Sequence, residues 1–88
     1  MEKKCDVLVR NDVDSTMKTI CVFTTENKEI MINFIADYLI KNELDKDDEY
    51  SPLTTSEECV KWAEHIVNGS ILDLDWTQYY LIETILIE

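Results

Sequence analysis

The sequence predicts an α+β fold: a small three-stranded antiparallel sheet with two helices packed on one face, in the order β-β-α-α-β. Three observations predict it. Two alternating, β-branched segments flank an Asn/Asp/Ser turn in the first 24 residues. Two stretches with helical apolar spacing follow, each opened by a threonine. The chain then runs through residues 77–88, apolar on both alternating faces. Its 88 residues form one domain, 1–88, and a hydrophobic share of 45% is enough for a packed core.

The first strand is residues 5–13, CDVLVRNDV. Cys5, Val7 and Val9 fall on one side and Asp6, Leu8 and Arg10 on the other, the pattern of a half-buried strand. Residues 11–16, NDVDST, supply turn formers. Residues 17–24, MKTICVFT, are β-branched and aromatic, and pair most simply with the first strand as an antiparallel hairpin.

Thr25 is the expected N-cap of the first helix, with Glu26 and Glu29 near the positive end of its dipole. Ile30, Met31, Phe34, Ile35 and Tyr38 share one broad face, which Leu39 extends. This helix should end near Asn42. Residues 43–53 are longer than the roughly 2–8 residues that usually join two helices. Pro52 closes the connection. Thr55 and Glu58 then have capping-box spacing, and Cys59, Val60, Ala63, Ile66 and Val67 make the buried face of a second helix. Gly69, the single glycine, suits the left-handed residue after that helix. Residues 70–76 are expected as an irregular connection. The last strand has Tyr80, Ile82 and Leu86 on one face and Tyr79, Leu81, Ile85 and Ile87 on the other, so it should lie between or beside the hairpin strands. The expected core is Phe34, Ile35, Ala63, Ile66, Ile82 and Leu86. The sheet face away from the helices would be partly apolar, which leaves room for a homodimer.

Charge narrows the function. Nineteen acidic residues face eight basic ones, a formal net charge of -11, well beyond the magnitude of roughly 2–8 usual for a small domain. Direct binding to nucleic acid or to an anionic membrane is disfavoured by that sign. The opening MEKK is charged and no apolar run follows it, so no signal peptide is expected, and no stretch is long and apolar enough to span a membrane. Cys5, Cys21 and Cys59 are odd in number and widely spaced, which fits a reducing cytoplasm better than a disulfide framework.

Catalytic and metal chemistry find little to work with. His65 is the single histidine, and six residues of helix set it about 120° away from Cys59, so the two do not form a nucleophile–base pair. One glycine cannot build a phosphate cradle. Counted from Asp45, an EF-hand would need glycine at its sixth position and glutamate at its twelfth, where Tyr50 and Ser56 stand. No enzyme activity, cofactor or metal is therefore expected. The acidic surface remains. Glu43, Asp45, Asp47, Asp48 and Glu49 fall within residues 43–49, with Tyr50 at the edge of the run. A second acidic–aromatic stretch, Asp73, Asp75 and Trp76, follows the second helix. Carboxylates steer a basic partner and aromatic rings supply contact area, so these nine residues are the candidate partner-binding set. Asp12 and Asp14 in the hairpin turn, and Glu57, Glu58 and Glu64 on the second helix, extend the acidic field.

The stretch VFTTENKEIMINFIADYLIKN, followed by DKDDEY, resembles in style the phage-encoded anti-CRISPR and anti-restriction proteins that imitate DNA. The likeness covers about the middle third of the chain and lies in surface character. It implies an inhibitor working in the host cytosol that occupies the basic nucleic-acid-binding cleft of a nuclease. The alternatives are an immunity protein that neutralises a nuclease toxin, and a small dimerising structural domain.

Overall fold

Alternation along the strands decides how this chain layers. In the computed structural model, which describes residues 2–14 and 16–87, the order is β1 (Glu2–Asp12), β2 (Met17–Phe23), α1 (Lys28–Asn42), α2 (Ser56–Val67), β3 (Leu72–Asp73) and β4 (Thr77–Ile87). The first two strands form the expected antiparallel hairpin, pairing Leu8 with Cys21 and Val7 with Val22, and a bulge shifts the register between Leu8 and Val9.

The sheet has four strands rather than three, in the order β2-β1-β4-β3, and every pairing is antiparallel. The added strand, β3, lies inside the stretch expected to be irregular. Its origin is the tightness of the next turn. The Leu74 N–H bonds to the Thr77 carbonyl at 2.9 Å, so the chain reverses within four residues. The residues just before the turn are thereby carried alongside the start of β4, pairing Leu72 with Tyr79 and Asp73 with Gln78. A two-residue strand has no periodicity to read in advance. β4 lies between β1 and β3, which accounts for its apolar residues on both faces.

One face of the sheet receives both helices. Leu8, Phe23, Leu72 and Tyr79 are buried in one cluster with Ile35 and Leu39 of α1, Cys59, Ala63 and Ile66 of α2, and Leu53 of the connection. Cys5 and Val9 are also buried but lie outside this cluster, on the far face.

Parts of the expected core are corrected. Ile35, Ala63 and Ile66 are fully buried. Phe34 stays 41% exposed because α1 is rotated toward Met31, Ile35, Ala36 and Leu39; its ring meets Phe23 edge-on at 5.4 Å. Ile82 is 39% exposed because it faces away from the helices. Ile30 and Val60, expected on buried faces, are exposed for the same rotational reason. Leu86 lies outside the residues whose side chains are described.

The caps follow local hydrogen-bond chemistry. Asn27, not Thr25, caps α1, its side chain accepting from the N–H groups of Glu29 and Ile30. The Thr25 hydroxyl accepts from the Asn27 N–H at 3.0 Å, one turn earlier. Thr55 caps α2 as expected and accepts from the Glu58 N–H at 3.2 Å. The Glu58 carboxylate takes the Thr54 hydroxyl at 2.8 Å rather than completing the box. Gly69 ends α2 at φ 104°, a conformation that strains any residue with a Cβ. Among the described residues, no helix is long and apolar enough to cross a membrane.

Candidate functional site

Three connections meet at one end of the molecule, and each is acidic. The end of β1 and the start of β4 pair there, Asp12 with Thr77. The Val13 N–H bonds to the Trp76 carbonyl at 2.9 Å, which ties the β1–β2 turn to the β3–β4 turn. The α1–α2 connection arrives at the same end because α1 stops at Asn42, beside Tyr79. Asp12, Asp14, Glu43, Asp45, Asp47, Asp48, Glu49, Asp73 and Asp75 lie in these connections or on the strand ends that enter them, nine of the 19 acidic residues. Arg10, Lys41 and Lys46 are the cations closest to them in sequence, and the Arg10 Nε–H is already committed to Asp12 Oδ1 at 2.8 Å.

The α1–α2 connection is ordered by its own carboxylates. Asp45 Oδ1 accepts the Asp47 N–H at 3.0 Å, and Asp48 Oδ1 accepts the Tyr50 N–H at 3.0 Å. These are Asx turns, the local geometry that aspartate offers a loop backbone. The Asp45 N–H donates to the Leu53 carbonyl at 2.9 Å and closes the loop across its base, where Leu53 is fully buried. The long connection is thus a structured loop anchored by one leucine. In the β3–β4 turn Asp73 plays the same part, accepting the Asp75 N–H at 2.9 Å. Asp75 sits at φ 69°, a left-handed conformation that aspartate tolerates better than most residues. That turn points Trp76 outward.

A groove of about 380 Å³ opens between these two loops, lined by Glu43, Asp45, Asp48, Tyr50, Ser51, Pro52, Asp73, Leu74, Asp75 and Trp76. Seven of the nine candidate residues therefore line one concavity: Glu43, Asp45, Asp48, Tyr50, Asp73, Asp75 and Trp76. Asp47 and Glu49 are on the same loop and exposed, but do not line the groove. Tyr50 is 89% and Trp76 79% exposed, so both rings are free to meet another surface. A second concavity of about 330 Å³ adjoins the first, sharing Asp73, Asp75 and Trp76 and adding Asn11, Asp12, Val13, Thr77 and Gln78.

Two polar links bind this end to the core. The Tyr79 hydroxyl donates to Glu43 Oε1 at 3.1 Å, and Tyr79 is otherwise wholly buried. Burial, the neighbouring Tyr38 and the charge of Glu43 push the Tyr79 hydroxyl well above the ordinary phenol range, so it remains a donor. The Thr77 hydroxyl donates to Asp12 Oδ1 at 2.6 Å. That bond, and then Arg10, hold the Asp12 carboxyl below the usual carboxylate range. The sequence places Asp12 in the wider acidic field but not beside Trp76, because that neighbourhood depends on the pairing of β1 with β4.

The remaining reactive side chains lie elsewhere. Cys59 is fully buried while His65 is exposed, with its ring edge-on to Trp62 at 5.3 Å. Burial pushes the Cys59 and Cys21 thiols up, opposite to the shift that activates a nucleophile. Among the described residues, no three His, Cys, Asp or Glu side chains are grouped to hold a metal ion. Comparison with protein-family models, with curated proteins and with solved structures finds no match to this chain.

Proposed function

We propose that this protein is an acidic inhibitor that seats its carboxylate-rich end in the basic nucleic-acid-binding cleft of a nuclease, in the manner of a DNA mimic. The observation that supports this reading is the convergence of Glu43, Asp45, Asp48, Tyr50, Asp73, Asp75 and Trp76, from two separate connections, on one groove. Two exposed rings within a field of carboxylates combine the contact area of a hot spot with long-range attraction. In this reading the chain works in the cytosol, catalyses nothing itself and needs no cofactor or metal. Its partner releases phosphate contacts and takes carboxylates in their place.

The test is capture from native host lysate at low and high salt, using the parent protein and a variant carrying Asp45→Asn, Asp47→Asn, Asp48→Asn and Glu49→Gln. The captured protein is then assayed for nuclease activity with and without the inhibitor. Support is a salt-sensitive nuclease whose cleavage is blocked by the parent and not by the variant. If that nuclease is a toxin, the protein is its immunity partner. A captured protein with no nucleic-acid-binding activity, or equal capture by parent and variant, overturns the reading.

A further inference from the structure

Among the described residues, the face of the sheet opposite the helices carries no second layer. The molecule measures 48 × 30 × 19 Å, and its thin dimension fits one sheet and one helix layer, since packed layers lie about 10 Å apart. Strand pairing sets what this face displays. Val7 pairs with Ile82 and Val22, and Val9 pairs with Tyr80, so these five side chains and Cys5 project on the same side. Val22 remains 48% exposed. We propose that this uncovered face is a homodimer interface, with two copies stacked sheet against sheet.

Charge argues for a second copy as the occupant. In a chain of net charge -11, the outward positions of β1, β2 and β4 among the described residues contain no carboxylate. Asp6, Asp12 and Glu83 all fall on the helix-side positions, and Asp6 pairs with Glu83 there. Among the described residues of these three strands, the outward positions other than the apolar ones are threonine, asparagine and glutamine, with Lys3 as the one charge. A strongly basic partner finds only Asp73, at the edge, to pair with on this face among the described residues. A second copy brings the same nearly neutral surface and keeps the carboxylates of β1 and β4 on the far side of each sheet; Asp73 of the two-residue β3, beside Gln78, stands at the edge of the face. Sheets stacked about 10 Å apart put those carboxylates at or beyond the screening length in about 0.1 M salt. Size agrees. Strands of 11, 7 and 11 residues at about 3.4 Å per residue and about 4.8 Å between strands cover roughly 470 Å² in projection. Two copies bury roughly twice that, close to the ~1,000 Å² a specific interface requires before side-chain relief is counted.

Sedimentation velocity of the full chain, at about 0.05 M and about 0.5 M salt, tests this, because the screening length falls from roughly 14 Å to roughly 4 Å. The expected result is a dimer that tightens as salt rises, since screening relieves repulsion between the acidic bodies. Val7→Lys and Ile82→Lys should each weaken the dimer at least about tenfold while circular dichroism and thermal melts show a folded chain. Should a lysine at Val7 prevent folding, Thr19→Glu and Thr84→Glu, at exposed positions of the same face, carry the test. A protein that stays monomeric in high salt overturns the proposal. So does a dimer that survives these substitutions, which would place the contact on the free edge of β2.

Discussion

Neutralising the loop while keeping its shape is the sharpest perturbation this structure offers. Asp45 and Asp48 hold the loop through Oδ1 atoms that accept the N–H groups of Asp47 and Tyr50. An asparagine amide oxygen accepts the same bonds. The variant Asp45→Asn, Asp47→Asn, Asp48→Asn, Glu49→Gln therefore preserves both Asx turns and the leucine anchor, and changes only charge. Net charge moves from -11 by four. Steering by the field of a whole protein multiplies association rates by roughly 10 to 10³. If the logarithm of that gain scales with net charge, removing four of 11 charges removes about a third of it, slowing association about 2- to 12-fold at low salt. Stability should shift by no more than about 0.5 kcal/mol, as for other surface substitutions. Stopped-flow association with the captured partner reads the rate, and urea unfolding of the isolated variant reads the stability. Equal rates for parent and variant at low salt would show that this loop is only a solvated connection. A large loss of stability would show that its carboxylates serve the fold.

Three further outcomes follow from the core and its polar links. Ile66→Ala should cost about 2–5 kcal/mol in urea unfolding, because Ile66 is fully buried between helix and sheet; a cost below about 0.5 kcal/mol would contradict that packing. Tyr79→Phe removes the donor to Glu43 and should cost about 1.5–3 kcal/mol, the range for a hydrogen bond to a charged group; an unchanged melting temperature would show that water replaces it freely. The lowered Asp12 carboxyl contributes stability above the ordinary carboxylate pKa of about 4, lost as pH falls through its depressed value. Melting temperatures of Asp12→Asn should therefore converge with those of the parent in strong acid and fall below them near neutrality; a constant gap at all pH values would rule out the charge as the cause.

Legibility in the sequence tracked how local each determinant is. The hairpin, both helices, the Thr55 cap and the Gly69 stop were readable because each depends on residues within a few positions of one another. Composition points to the candidate residues but not to which of them share a groove, because that requires α1 to end beside Tyr79 and β3 to fold back on β4. β3 is too short to show in the sequence pattern. Phe34 and Ile82 both fit an apolar period, which points to the core. The period fixes which residues share a face and leaves open how far that face is rotated from the core or which side of the sheet the helices cover.

The same alternation that builds the sheet sorts its charge. Residues an even number of positions apart on a strand share a face, so Asp6 and Asp12 fall on one side of β1 and leave the other without a carboxylate. Eight more acids, Asp14, Glu43, Asp45, Asp47, Asp48, Glu49, Asp73 and Asp75, lie in or beside the turns of β1–β2, α1–α2 and β3–β4, and these turns meet at one end because β1 finishes and β4 begins there. The result is a chain with two surfaces of opposite physical character: a mostly apolar face with Lys3 and, at its edge, Asp73, and an acidic end carrying two exposed rings. Salt acts on them with opposite signs. Screening strengthens self-association across the mostly apolar face, where the long-range force is repulsive, and weakens capture of a basic partner at the acidic end, where it is attractive. A single salt titration, read once by sedimentation and once by partner association, therefore assigns each surface its role; a common sign in both readings would mean that one surface serves both contacts.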